Sequence, residues 1–237
     1  MCSSDLVQES IYDSFRERIV REAGRITQEV DKDGSADIGL MTSEAQVKIV
    51  ADHLEDALAK GARLLTGAGW DRRSRAIPPL VIDGLTPDMK VVREETFGPV
   101  VALMPFSTEE EAVRFANDSE YGLSASVWSA NRLRCERVAR RLAVGNVSIN
   151  NVMLTEANPG LPFGGVRKSG MGRYKGEIGF AAFSNVKSIL IDANSRKIEA
   201  NWYPYTPEKY RTFDAMMTGL FGRGLFSFVK FLVNGLK

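Results

Sequence analysis

Two adjacent carboxylates followed closely by an aromatic ring are the side chains of this sequence best suited to contact a ligand. Glu94, Glu95 and Phe97 precede a Gly98-Pro99 turn, after which an almost unbroken apolar run extends from Val100 to Phe106. The apolar run predicts a buried strand, so the carboxylates lie at the start of that strand. Open α/β sheets bind ligands at strand ends, which favours a binding loop. An acidic loop in front of a core strand is the alternative interpretation.

The other reactive side chains give weaker indications. Cys2 and Cys135 are too few and too far apart to indicate a disulfide framework or a zinc site. Cys135 stands in a charged helical segment and is expected to be inert. His53 is expected on the surface of a helix, with no partner that would make a catalytic triad. We therefore predict no metal site.

Length and charge restrict the class of protein. The 237 residues are enough to bury a substantial core, and 31 basic residues nearly balance 30 acidic ones. A net charge of +1 gives no reason to expect general affinity for nucleic acid, although the last segment is locally basic. The first residues show neither a basic start nor an apolar signal segment, and the cysteine usage suits a reducing compartment. These features predict a cytoplasmic protein.

Short apolar runs alternate with helical segments along the chain. Runs suited to buried strands occur at 63–65, 80–82, 100–105, 124–128 and 147–149. Capping pairs that predict helix starts are Ser10 with Asp13, Ser43 with Gln46, and Thr108 with Glu111, and a further helix is predicted at 131–142. Alternation of this kind predicts an α/β fold, with a mainly parallel sheet and helices on both faces.

Two further motifs follow the acidic one. The run YGLSASVW occupies 121–128, and PFGGVRKSG occupies 162–170, within a long, glycine- and proline-rich stretch from 150 to 168 that we interpret as a functional loop. Together with EETFGPV at 94–100, and in this order, they resemble the C-terminal half of the NAD(P)-dependent aldehyde dehydrogenase family. The resemblance runs from about Val7 to Asp192.

The resemblance implies roles for three residues. Glu95 would hydrogen-bond the nicotinamide ribose of NAD or NADP, and Phe97 would contact the nicotinamide ring. Both roles suit the side chains, since a carboxylate accepts hydrogen bonds from ribose hydroxyls and an aromatic face holds a flat ring. Phe163 would line the tunnel for the aldehyde substrate, with a core-filling phenylalanine in a turn as the alternative. We interpret Asn150 as structural.

The family's cysteine nucleophile has no clear counterpart in this chain. Its matching position falls just before Met1, and Cys2 lies too close to Val7 to take its place. In the family, the general-base glutamate, the oxyanion asparagine and the pyrophosphate-binding turn are also N-terminal. We therefore assign no catalytic residue and predict a fragment that is inactive alone. The first six residues are expected to be an irregular start or a sequence-assembly junction.

The resemblance also divides the chain. Residues 1–185 would be a partial catalytic domain, and 186–192 would lie in a strand, predicted from Ser184 to Asp192, that joins subunits of a homo-oligomer. Residues 193–237 would be an extension with an amphipathic helix, in which Gly222 and Gly224 weaken the helical pattern. The apolar and basic faces of that helix suit either peripheral contact with a membrane or packing on a subunit.

These expectations define three functional hypotheses. The first is an aldehyde dehydrogenase that oxidises an aldehyde to a carboxylate with NAD(P) through a cysteine thioester. The second is a non-catalytic oligomerisation or regulatory fragment. The third is a membrane-surface dehydrogenase for lipophilic aldehydes.

Overall fold

A computed structural model of the chain describes residues 4–28, 34, 36–152, 154–191 and 203–222. The chain divides into two compact units, Met1–Asn185 and Val186–Lys237. Within the described ranges no helix has the length and apolarity needed to cross a membrane.

The first unit alternates strands and helices. Its elements are β1 (Ser4–Gln8), α1 (Glu9–Ala23), α2 (Glu44–Ala59), β2 (Arg63–Leu64), β3 (Leu80–Asp83), α3 (Lys90–Arg93), β4 (Val100–Phe106), α4 (Glu109–Asn117), β5 (Ser124–Val127), α5 (Arg132–Ala139), β6 (Asn146–Ile149), α6 (Leu154–Ala157), a 3₁₀ turn (Arg167–Ser169) and α7 (Gly176–Ala182). The second unit contains α8 (Pro207–Phe221).

The strands form two sheets. The larger has the order β1-β4-β3-β2, with β1 and β3 parallel to β4 and only β2 antiparallel. The smaller consists of the parallel pair β5 and β6. The predicted α/β class with a mainly parallel arrangement is confirmed, although the strands are divided between two sheets.

The larger sheet is buried on both faces. Successive side chains of a strand point to opposite sides, so each strand contributes to both. Leu80 and Ile82 of β3 belong to the core cluster that contains the apolar face of α2. Val81 and Leu103 belong to the cluster on the other side, against which side chains of α1 pack. Helices therefore cover both faces, as predicted.

Two of the three predicted capping pairs are found. The Ser43 side chain accepts a hydrogen bond from Gln46 N at 3.2 Å, and Thr108 accepts one from Glu111 N at 3.2 Å. The predicted capping pair Ser10 and Asp13 is wrong, because the N-cap of α1 is Gln8, two residues before Ser10, and it makes no side-chain capping bond. Ser10 thus lies inside the first turn.

The expected irregular start is also wrong from Ser4 onward. Residues of β1 pair with β4 in parallel register, Asp5 opposite Leu103 and Leu6 opposite Met104. The edge of β4 provides the backbone hydrogen-bond partners for β1. The residues of β1 alone give no sign of this pairing. Cys2 lies outside the described residues.

The predicted strand at 184–192 does not form over residues 184–191 of the single chain. A strand needs a neighbouring edge for its backbone hydrogen bonds, and the apolar side chains here are exposed, Leu190 by 94%. Pairing with another subunit stays a prediction.

The C-terminal helix α8 is capped by Thr206, which accepts a hydrogen bond from Lys209 N at 3.2 Å, and its C-cap is Gly222. The weakening expected at Gly222 therefore coincides with a helix end. The rest of the predicted amphipathic pattern, with Gly224, lies outside the described residues.

Candidate functional site

The acidic motif forms the loop between α3 and β4, and α2 anchors the short helix that precedes it. The backbone N–H of Lys90 donates to Asp56 Oδ2 at 2.8 Å, and Lys90 Nζ donates to Asp52 Oδ2 at 2.7 Å. The first of these bonds is the main cause that lowers the pKa of Asp56. The start of the loop is thereby fixed on α2.

Arg93, the last residue of α3, ties the same loop to the segment after α4. Its side chain forms a salt bridge with Asp118 Oδ2 at 3.0 Å and donates to the Asp118 carbonyl at 3.3 Å. The hydrogen bond from Arg93 lowers the pKa of Asp118. Asp118 lies just before the second motif, so the first two motifs are connected here.

The loop presents two side chains outward and buries the one between them. Glu95 is exposed, Phe97 is 62% exposed, and Thr96 between them is buried. At Gly98 an added Cβ would lie 3.0 Å from the Val50 side chain of α2, so the loop rests closely on that helix. A fixed loop with an exposed carboxylate and an exposed aromatic ring fits a polar ligand that carries a flat ring.

The surface position expected for His53 is wrong. The side chain is 3% exposed, and its Nδ1 lies 2.7 Å from Thr96 Oγ1 while its Nε2 lies 3.4 Å from Glu94 Oε2. His53 follows Val50 by three residues and precedes Ala57 by four, and both are buried. This helical spacing placed His53 on the buried face of α2, and it was a signal available in the sequence.

The second and third motifs are in direct contact. The backbone N–H of Gly122 donates to Ser169 Oγ at 3.0 Å, and the N–H of Val166 donates to the Gly122 carbonyl at 3.0 Å. Nearby, the N–H of Lys168 donates to the Glu120 carbonyl at 3.0 Å. The side chains of this last pair also meet, and the bond with Glu120 raises the pKa of Lys168.

Phe163 is buried within the third motif. Its backbone exchanges hydrogen bonds with Tyr174 at 2.7 and 2.8 Å, and the two rings meet edge to face with centroids 5.7 Å apart. Lys175 Nζ lies 5.6 Å from the Phe163 ring centroid. The ring is held in one place by these contacts, and its part in an aldehyde tunnel stays a prediction.

Asn146 is a connecting residue that sequence reasoning missed. Its Nδ2 donates to the carbonyls of Leu123 and Gly164, each at 2.9 Å, and so joins β6 to the second and third motifs. A single asparagine beside a glycine gives no periodic signal, which is why the pattern did not reveal it.

Two residues interpreted as non-catalytic have structural contacts. Asn150 has φ of 52°, and its side chain accepts from Ser129 N at 2.9 Å and donates to Ser129 O at 3.1 Å, which stabilises the turn after β6. Cys135 is fully buried in α5. Among the residues with described positions, no group of three or more His, Cys, Asp or Glu side chains is arranged to hold a metal ion.

A mainly parallel sheet covered by helices on both faces places the chain among the α/β proteins. The model of the aldehyde dehydrogenase family matches residues 1–189. The chain belongs to the aldehyde dehydrogenase family.

Individual relatives agree with this membership. The chain is 40% identical over 216 residues to 4,4'-diapolycopene aldehyde oxidase of Methylomonas sp. This alignment covers 91% of this chain and 40% of that protein. It is 38% identical over 200 residues to 2-aminomuconic semialdehyde dehydrogenase of Bos taurus, covering 81% of this chain and 41% of that one. The chain thus spans about two fifths of the length of these curated relatives.

Solved structures give the same result. Aldehyde dehydrogenase of Mycobacterium tuberculosis complexed with NAD+ superposes with a TM-score of 0.74 at 32% identity, over 81% of this chain and 40% of that one. Succinic semialdehyde dehydrogenase of Streptococcus pyogenes, in complex with NADP+, superposes with a TM-score of 0.73 at 34% identity, over 78% and 41%. Relatives of this chain therefore bind NAD+ or NADP+.

Proposed function

We propose that this chain is the C-terminal part of an aldehyde dehydrogenase that oxidises an aldehyde to a carboxylate with NAD or NADP. The observation that carries the proposal is the exposure of Glu95 and Phe97 on either side of the buried Thr96, on a loop anchored at both ends. Family membership supports the proposal, since the motif of this loop is one of the three on which the resemblance rests.

In this proposal the chain binds and orients the nicotinamide end of the cofactor. The Glu95 carboxylate accepts hydrogen bonds from ribose hydroxyls, and the Phe97 ring holds the nicotinamide ring by face or edge contact. The bound cofactor supplies a hydride acceptor for the aldehyde carbon. Phe163 is proposed to face the aldehyde.

The proposal includes a cysteine that forms a thioester, which water hydrolyses to the carboxylate. No residue of this chain is assigned as that nucleophile or as the general base. The chain is accordingly proposed to be inactive by itself and active as part of a longer protein.

Substitution of the two loop residues tests this function. In the full-length protein, Glu95→Gln and Phe97→Ala should each weaken NAD(P)+ binding about tenfold. Glu95→Gln loses hydrogen bonds to a charged group, which contribute roughly 1.5–3 kcal/mol, and Phe97→Ala loses a ring contact worth roughly 0.5–1.5 kcal/mol. Glu17→Gln, at an exposed position of α1, is the matched control and should leave the Kd unchanged. Cofactor binding by calorimetry and formation of reduced cofactor with an aldehyde panel are the measurements. Unchanged Kd values for both loop variants would contradict the proposal.

A second candidate function is oxidation of a lipophilic aldehyde at a membrane surface. The alignment of 216 residues with 4,4'-diapolycopene aldehyde oxidase must extend beyond the 189 residues that the family model matches. The helix α8 in this extension exposes aromatic side chains, among them Tyr210 and Phe221. Such a helix, with basic residues nearby, suits the interface of an anionic bilayer.

Flotation with anionic liposomes tests the membrane candidate. The full-length protein should float, whereas a variant that ends at Asp192 should remain in the dense fraction. Equal flotation of the two would remove the membrane interpretation and favour packing of α8 on a subunit or at the tunnel mouth.

We also propose that the protein is cytoplasmic and forms a homo-oligomer, which the exposed apolar side chains of segment 186–191 support. The alternative function, a non-catalytic oligomerisation or regulatory fragment, uses the same segment. Leu190→Glu should lower the molar mass measured by light scattering, whichever function holds. Oxidation of an aldehyde by the full-length protein separates the two, because the non-catalytic hypothesis predicts none.

A further inference from the structure

His53 is a buried titratable side chain that the proposed function does not use. It lies on α2, 3% exposed, and both nitrogens of its imidazole face side chains of the acidic loop. Nδ1 is 2.7 Å from the Thr96 hydroxyl, and Nε2 is 3.4 Å from the Glu94 carboxylate. One ring therefore contacts two residues that flank Glu95.

The backbone conformation of the loop determines the directions in which its side chains point. Glu94 has an extended backbone, with φ of −107° and ψ of 161°. Side chains of an extended segment point alternately to opposite sides. Here the buried Thr96 contacts His53, as does one carboxylate oxygen of Glu94, whose side chain is 59% exposed. Holding Thr96 against His53 therefore directs its neighbours Glu95 and Phe97 outward, where both are exposed.

We propose that His53 is a positioning residue, which holds Glu95 and Phe97 in the orientation that binds the nicotinamide end of NAD(P). The inference rests on the proposed function and assigns that site a residue from a different element, α2. His53 itself does not touch the cofactor.

The Thr96 contact is a hydrogen bond, with Nδ1 2.7 Å from the hydroxyl oxygen, whereas the Glu94 contact is longer, with 3.4 Å between Nε2 and the carboxylate oxygen. Which partner donates in the bond between Nδ1 and Thr96 depends on the tautomer of the ring. The tight approach of Gly98 to Val50, three residues before His53, adds a second contact between α2 and the loop. Removal of the imidazole should therefore loosen residues 94–97 while the end near Gly98 stays in place.

The test measures binding of NAD+ and NADP+ to the full-length protein. His53→Phe keeps a ring of similar size and removes both polar contacts, and we expect it to raise the cofactor Kd by up to about tenfold, the loss expected when Glu95 itself is replaced. His53→Asn, which can still meet Thr96, should recover part of the affinity. The KM for the aldehyde should stay within twofold of the wild-type value.

The control separates positioning from simple stabilisation. Leu54→Ala removes a core side chain of the same helix that is 1% exposed. It should lower the unfolding midpoint at least as much as His53→Phe and leave the cofactor Kd unchanged. Thr96→Val, a milder change on the loop side, should reproduce the loss seen with His53→Phe, and the double variant should be no worse than either single one.

Two outcomes would overturn the inference. If His53→Phe and Thr96→Val lower stability but keep the wild-type Kd, His53 is a core residue only. If Glu95→Gln also leaves the Kd unchanged, the proposed role of the loop itself fails. A loss with Glu95→Gln but not with His53→Phe rejects the positioning role and keeps the proposed function.

Discussion

Replacement of Gly145 by alanine is expected to disrupt the region that joins the second and third motifs. Gly145 precedes β6, and its backbone N–H donates to the Gly122 carbonyl at 3.0 Å. An added Cβ would overlap the carbonyl oxygen of Gly164 and would lie 2.8 Å from its carbonyl carbon. These are backbone atoms, so no side chain can rotate to make room.

The expected destabilisation is about 3–5 kcal/mol. Forcing extra atoms into a packed site costs roughly 1–3 kcal/mol even where side chains can adjust. Moving Gly164 away would also break its hydrogen bond from Asn146 Nδ2, at 2.9 Å, and strain the bond from Gly145 to Gly122, each worth about 1 kcal/mol. Because Gly164 follows Phe163, the proposed substrate position should shift as well.

Gly69→Ala is the matched control. A Cβ at Gly69 would meet no atom within 4 Å, so the change should alter stability by no more than about 0.5 kcal/mol. Urea unfolding followed by tryptophan fluorescence, with both variants in the full-length protein, gives the comparison. Equal unfolding midpoints for the two variants would refute the reasoning, since it requires the Gly164 backbone to be unable to yield.

Two further predictions concern ion pairs. Arg63 donates from two nitrogens to the fully buried carboxylate of Asp83, at 2.9 and 2.8 Å, so Arg63→Met should lower the free energy of unfolding by about 2–3 kcal/mol. Arg132→Met breaks only an exposed pair and should cost less than about 0.5 kcal/mol; equal losses in urea unfolding would contradict this. The Arg93 pair lowers the pKa of Asp118 below 3.8, so it stabilises the fold above that pH and is lost as the pH falls through the lowered pKa. Asp118→Asn should therefore reduce the unfolding midpoint at neutral pH and converge with the wild type in acid; a constant difference at all pH values would contradict the assignment.

The sequence predicted those features that depend on neighbouring residues. Ser43 and Thr108 cap their helices because the hydrogen bond of an N-cap closes within three residues, and that spacing can be read directly. Apolar runs such as 100–105 predicted strands because burial on both faces requires continuous apolar character. The family motifs predicted the fold class, which the solved relatives confirm.

Features that depend on distant contacts were not predicted. The helical spacing of His53 with Val50 and Ala57 indicated a buried face, but its contacts with Glu94 and Thr96 come from a loop that is far away in sequence. The strand β1 depends on a free edge of β4, which nothing in its own residues reveals. Residues 184–191 show the opposite case. Their apolar side chains suit a strand, but among the described residues of the single chain no strand pairs with them.

The three motifs act as one structural unit because the short segment from Asp118 to Gly122 contacts both of the others. Arg93, next to the acidic loop, binds Asp118, and Ser169 of the third motif binds Gly122. A displacement of this segment would therefore shift both the acidic loop and the turn that carries Phe163. Hydride transfer needs its two reacting partners aligned closely, since a misplacement of about 1 Å can cost about a hundredfold in rate. A shared anchor therefore gives the proposed cofactor and aldehyde positions a common structural reference.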